Sequence, residues 1–135
     1  MYKNILVPIA LGHTSKTAAA LDVAKTLLDE GGKVTALSVI EAVPSYIRSY
    51  LPEGQEEKSY RDVREALEKE LAGTESVIPV VVTGHPGREI LDYAQKHQVD
   101  CIVIASHRPG MQDYFLGSTA AWVVRHTPCA VHVVR

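Results

Sequence analysis

The residues best suited to chemistry lie between Ser106 and Thr119: Ser106, His107 and Arg108, then Gly110, then Gly117-Ser118-Thr119. Arg108 brings a permanent positive charge, and Gly110 lets the backbone approach a ligand closely. Gly117-Ser118 opens a helix that runs through His126. The free N–H groups and the dipole at such an end favour an anion, worth on the order of 1 kcal/mol. The Ser118 and Thr119 hydroxyls can add hydrogen bonds, so a phosphate is the natural guest. The same Gly-Ser start also serves simply to cap a helix, and the local pattern leaves both readings open. Neither the dinucleotide glycine fingerprint nor the Walker sequence is present, which argues against a typical dehydrogenase or motor ATPase.

Other combinations are weaker. His13, His85 and His107 fall near one edge of the expected sheet. They come from three separate loops without the spacing of paired metal ligands, so turn and capping roles are favoured. Ser118, His107 and Asp113 contain the residue types of a hydrolase triad, but no Gly-x-Ser-x-Gly elbow accompanies them. Cys101 and Cys129 each start an apolar run and read as small buried hydrophobes in a reducing compartment. Trp122 reads as core or helix–sheet packing, Arg88 as a solvated charge, and His132 as an interface or surface residue.

The elements that position these residues alternate. Ile5 to Ile9 is continuously apolar, as in a strand buried on both faces. Thr14 and Ser15 offer an N-cap to a helix carrying Ala20, Leu21, Ala24, Leu27 and Leu28, which Gly31-Gly32 is expected to stop. A strand from Val34 to Ile40 follows, then a long loop from Glu41 to Gly54. Tyr60, Val63, Leu67 and Leu71 form the stripe of the next helix, with Glu65 and Lys69 paired on its wet side. Val77 to Thr83 is the third strand. Pro86 starts a helix that turns Ile90, Leu91 and Ala94 inward. Cys101 to Ala105 and Ala130 to Val134 are the last two strands.

Strands separated by helices imply an α/β fold with an open parallel sheet, right-handed crossovers and helices on both faces. Ligands of such sheets gather beyond the C-terminal strand ends, where strand order reverses. The 135 residues suit one domain spanning 1–135. With 46% hydrophobic and 22% charged residues the chain is globular. A net charge of −2 with signs interspersed argues against nucleic acid as a partner. The opening Met1 to Asn4 leads into an apolar stretch too short for a signal peptide or a membrane span, so a cytoplasmic location without membrane insertion is expected.

Several segments together resemble the universal stress protein family over nearly the whole chain. They are Lys3 to Ile9, Gly84-His85-Pro86, Asp100 to His107, Leu116 to Ala121, Val124-Arg125-His126 and Cys129 to Arg135. Ser106-His107-Arg108-Pro109 is similar to the small single-domain bacterial branch. The resemblance implies a Rossmann-like sheet of the adenine nucleotide α-hydrolase type, with strand order 3-2-1-4-5. It also implies a homodimer through the Ala130–Val134 strand, with pairing into tetramers left open. The implied role is an ATP-binding stress-response or regulatory module with little or no catalysis, AMP or ADP being alternative ligands.

On the family's pattern the adenine lies near Pro8, Ile9 and Val39. The phosphates meet Ala105, Ser106, His107, Arg108 and Gly110, then Gly117, Ser118 and Thr119. Two positions depart from that pattern: Ala105 replaces the first glycine, and Ala10 stands where an acidic residue usually serves the ribose and metal. The phosphate loop is about one residue shorter, and magnesium is left without an assigned ligand. The alternative reading is a dimeric adaptor of the same fold that binds no nucleotide and works through the 41–54 loop and an unknown protein partner.

Overall fold

The computed structural model describes residues 1–11, 14–74, 76–106 and 116–135. The elements run β1 (Tyr2–Pro8), α1 (Thr14–Leu27), β2 (Leu28–Glu41), α2 (Ser45–Arg48), α3 (Gln55–Glu70), β3 (Val77–Gly84), α4 (Pro86–Lys96), β4 (Cys101–Ala105), α5 (Ser118–His126) and β5 (Ala130–Val134). All five strands form one parallel sheet in the order β3-β2-β1-β4-β5, as the alternation and the resemblance predict. Apolar side chains leave both faces. Ile5, Val7, Ala36, Cys101 and Val103 pack with α1 and α3 on one side. Leu6, Leu37, Ile102 and Ile104 pack with α4 and α5 on the other. That two-sided burial is why β1 and β4 read as continuous rather than alternating apolar runs.

Three local expectations are corrected. Helix α1 ends at Leu27, and Gly31-Gly32 lie inside β2 rather than at a helix stop. Gly31 takes a φ of 79°, and a Cβ on Gly32 would lie 2.8 Å from the Lys3 carbonyl oxygen. The pair therefore sits in the irregular stretch where the β1–β2 register shifts between Tyr2 and Asn4, which suits glycine. The 41–54 segment holds the short helix α2, and its side chains Tyr46 and Tyr50 are exposed. In α3 Val63, Leu67 and Leu71 of the stripe pack on the core, but Tyr60 is exposed. The ion pair on that helix is Arg64–Glu68 at 3.0 Å.

Trp122 packs between helices rather than against the sheet. A Cβ on Gly87 of α4 would lie 2.6 Å from its Cγ, and the His126 ring stacks on it at 4.2 Å between centroids. Arg88 is exposed, its guanidinium 5.9 Å from the same ring. No helix among the described residues is long and apolar enough to cross a membrane.

Both cysteines are free, Cys101 buried and Cys129 partly so. Burial pushes the Cys101 thiol from about 9 up to about 11, with smaller contributions from Cys129 and Asp100. A buried thiol that resists ionisation is inert. At pH 8 an alkylating reagent should therefore modify Cys129 well before Cys101, read by peptide mass mapping. The raised value also has a sign for stability. In the unfolded chain Cys101 ionises near 9 and in the folded protein near 11, so its contribution is complete below pH 9 and is lost as pH rises to 11. Cys101→Val should lose less stability than wild type across that window, and equal slopes would contradict the assignment.

Candidate functional site

The chain leaves β1 toward one side of the sheet and returns through β4 on the other, so strand order reverses between these neighbours. A cleft of about 400 Å³ opens at their C-terminal ends. It lies within the size range of small-ligand sites, roughly 300–1,000 Å³. Pro8, Ile9 and Ala10 beyond β1 form part of its wall, with Leu37, Val39 and Glu41 from β2. Ile104, Ala105 and Ser106 close the β4 side, and Gly117, Ser118, Thr119 and Ala120 bring in the start of α5. A neighbouring groove of about 430 Å³ shares Glu41, Pro86, Ser118 and Thr119 and extends to His85 and Trp122. The cleft, not the groove, occupies the switch point where open parallel sheets take ligands.

Hydrogen bonds fix the walls. Ile9 N–H donates to the Leu37 carbonyl at 2.8 Å, and the buried Ser38 hydroxyl donates to the Ile9 carbonyl at 3.0 Å. These bonds hold Ile9 in line with β1 after the strand has ended. On the opposite wall Ser106 N–H donates to the Val134 carbonyl at 2.9 Å, and Gly117 N–H donates to the Ser106 carbonyl. Ser106 is buried, so β4, β5 and the start of α5 are tied together at one residue. Gly117 is the N-cap of α5 in an extended conformation, and among the described residues no side-chain hydrogen bond caps the helix. Its carbonyl accepts from Ala121 N–H at 2.8 Å, which begins the helical ladder. The earlier amides of α5 have no partner within the helix, because an α-helix leaves its first N–H groups unsatisfied.

The structure thus brings Pro8, Ile9, Ala10, Val39, Ala105, Ser106, Gly117, Ser118 and Thr119 around one cleft. His107, Arg108 and Gly110 lie outside the described residues. His85 takes a capping role: its Nδ1 accepts from Arg88 N–H at 3.3 Å at the start of α4. His132 is exposed on β5.

Sequence reading missed the contribution of α1. Lys16, Thr17 and Ala20 line the cleft, as do Pro86 and Ile90 of α4. A signal was available, since a helix that follows a strand in a parallel sheet starts at the ligand-bearing edge. Thr17 donates to Glu70 Oε2 at 3.2 Å, tying α1 to α3. Lys16 Nζ donates to the Arg135 carbonyl at 2.9 Å.

The donor set does not suit a metal clamp. Ala10 offers no carboxylate, and among the described residues no group of three histidine, cysteine, aspartate or glutamate side chains converges. Glu41 is the carboxylate among the described residues of the cleft wall. What the site offers is an apolar floor at Ile9, Val39 and Ile104 and a polar mouth at the start of α5. Such a cleft suits a ligand with a flat apolar part and an anionic tail.

Comparison with known proteins agrees with this geometry. The family model described as "Universal stress protein family" matches residues 1–135. A universal stress protein of Methanothermobacter thermautotrophicus is 28% identical over 145 residues, covering 100% of this chain and 97% of its own length. The solved structure of hypothetical protein MJ0577 superposes with a TM-score of 0.80 at 26% identity, covering 99% of this chain and 96% of that one. The universal stress protein of Archaeoglobus fulgidus in complex with dAMP has the same fold, with a TM-score of 0.63 at 17% identity and coverage of 99% and 98%. With the five-stranded 3-2-1-4-5 sheet, the switch-point cleft and a family match along its full length, this chain belongs to the universal stress protein family.

Proposed function

We propose that the protein is an adenine-nucleotide-binding regulatory module, with ATP as the ligand and AMP or ADP as alternatives. The observation that carries this reading is the switch-point cleft, with apolar walls from β1, β2 and β4 and an α5 start that no side chain among the described residues caps. The adenine packs near Pro8, Ile9 and Val39. The phosphates lie against Ala105, Ser106 and the α5 start, with His107, Arg108 and Gly110 completing their surroundings. That a protein of the same fold has been solved with dAMP supports an adenine ligand here.

Turnover is expected to be slow or absent, since the described cleft wall offers no acidic clamp for a metal and no base held against a reacting atom. The module works in the cytoplasm as a homodimer joined through β5. This strand lies at the sheet edge with its valines half-buried, and an apolar edge needs a cover.

Filling the cleft tests where the ligand sits. Ala105 is a small, partly exposed residue on the wall, so Ala105→Trp puts an indole beside the space the ligand would take. The variant should melt within a few degrees of wild type and lose ATP binding by at least roughly 100-fold in equilibrium dialysis. Undiminished binding by a folded variant would move the site elsewhere.

A second reading, a protein-binding adaptor, is favoured by the exposed apolar side chains around α2. Tyr46 is 72% exposed and Tyr50 86%. It predicts indifference to ATP, together with a partner interaction that Tyr46→Ser and Tyr50→Ser abolish.

A further inference from the structure

We infer that Lys16 is the residue by which this cleft reads the number of phosphates on its ligand, an inference that rests on the nucleotide-binding reading above. Lys16 carries the only cationic side chain among the described residues of the cleft wall. Its position along the cleft follows from hydrogen bonds. Lys16 Nζ is anchored at 2.9 Å on the carbonyl of Arg135, the residue that follows β5. The preceding carbonyl, that of Val134, accepts from Ser106 N–H, and the Ser106 carbonyl in turn accepts from Gly117 N–H at the cap of α5. A short run of bonds thus joins the lysine's anchor to the start of α5. The ammonium stands at the β4–β5 end of the cleft, away from Val39 on β2.

This is the polar mouth, where the ligand's anionic tail lies. An ammonium has three donors. One is used on Arg135, and the others can turn toward a phosphate on the cleft side. The anchor restricts a side chain that would otherwise lose rotamer freedom on binding, so the charge is partly preorganised. A lysine is a point charge without the fork that reads a single carboxylate or phosphate bidentately. Its contribution therefore grows with the total charge of the tail rather than with the shape of one group. Glu41, the carboxylate of the described wall, comes from β2 on the other side of β1. A nucleoside with a longer phosphate tail gains more from the ammonium than one without.

The test compares adenosine, AMP, ADP and ATP by calorimetric titration against wild type, Lys16→Gln and Lys16→Arg. Glutamine keeps a donor for the Arg135 carbonyl and removes the charge, while arginine keeps the charge. Wild type should bind more tightly with each added phosphate, and less steeply as salt rises. Lys16→Gln should lose roughly tenfold or more for ATP and less than about twofold for adenosine, flattening the series. Lys16→Arg should retain most of the gradient. Thermal melts of the free proteins identify any variant that has not folded, and the Arg variant then carries the comparison. Equal losses for adenosine and ATP, or no loss at all, would overturn the role of Lys16 and leave nucleotide binding intact. A wild-type protein that binds none of the four would instead overturn the nucleotide reading, and the role of Lys16 with it.

Discussion

Gly87→Val is expected to destabilise the fold by about 3 kcal/mol. For a chain of this size that lowers the melting temperature by roughly 10 °C. Gly87 sits in the first turn of α4, directly against Trp122 of α5. A Cβ there would lie 2.6 Å from the indole Cγ and 2.9 Å from Nε1. The ring cannot easily retreat, because His126 stacks on it and His85 meets its edge at 5.4 Å. Ordinary helix propensity predicts the opposite sign, since replacing glycine in an exposed helix gains up to about 1 kcal/mol. The direction of the change thus separates packing from propensity. Trp122→Ala in the same chain should recover part of the loss, and a double-mutant cycle on urea or thermal unfolding measures the coupling. Because α4 holds α5 through this contact, Gly87→Val should also weaken ligand binding at the α5 start.

Ser118→Asp is expected to weaken ATP binding strongly. Ser118 is the first residue of α5, exposed, and on the wall of the cleft. A carboxylate at a helix N-terminus stabilises the helix by about 0.3–1 kcal/mol. The free protein should therefore melt slightly higher than wild type. On the proposed reading the same charge would face the phosphates of a bound nucleotide. Two like charges about 4 Å apart near a protein surface repel by about 4 kcal/mol, so ATP affinity should fall by roughly 100-fold or more. Few substitutions raise stability and abolish binding together, and that pairing singles out the α5 start as the phosphate site. Unchanged ATP affinity in Ser118→Asp would place the phosphates somewhere else.

The continuous apolar runs made the sheet legible from sequence. Cys101–Ala105 and Ala130–Val134 coincide with β4 and β5, and Gly117-Ser118 marks the start of α5. Misreadings arose where tertiary contact overrode a local signal. Gly31-Gly32 looks like a helix stop, yet the pair lies where β2 meets β1 out of register and packs against the Lys3 backbone. Tyr60 continues the stripe of Leu67 and Leu71, but the early turns of α3 leave it exposed.

The cleft was legible from the loops beyond β1, β2 and β4 together with α5. The place of Lys16 was not, because it depends on Arg135, 119 residues away, coming to lie beside the first turn of α1. The Trp122 contact was hidden for the same reason: the space Gly87 leaves open has meaning only once α4 and α5 lie side by side.

An adenine nucleotide in this cleft should stabilise the fold. The most direct measurement is the melting temperature of nucleotide-stripped wild type with and without saturating ATP. At 100 times the dissociation constant a specific ligand stabilises by about 2.7 kcal/mol, a shift of roughly 5–10 °C at this size. That shift is expected for ATP, a smaller one for AMP, and none for either in Ala105→Trp. An unchanged melting temperature at millimolar ATP would contradict it and turn attention to β5 and the exposed tyrosines around α2.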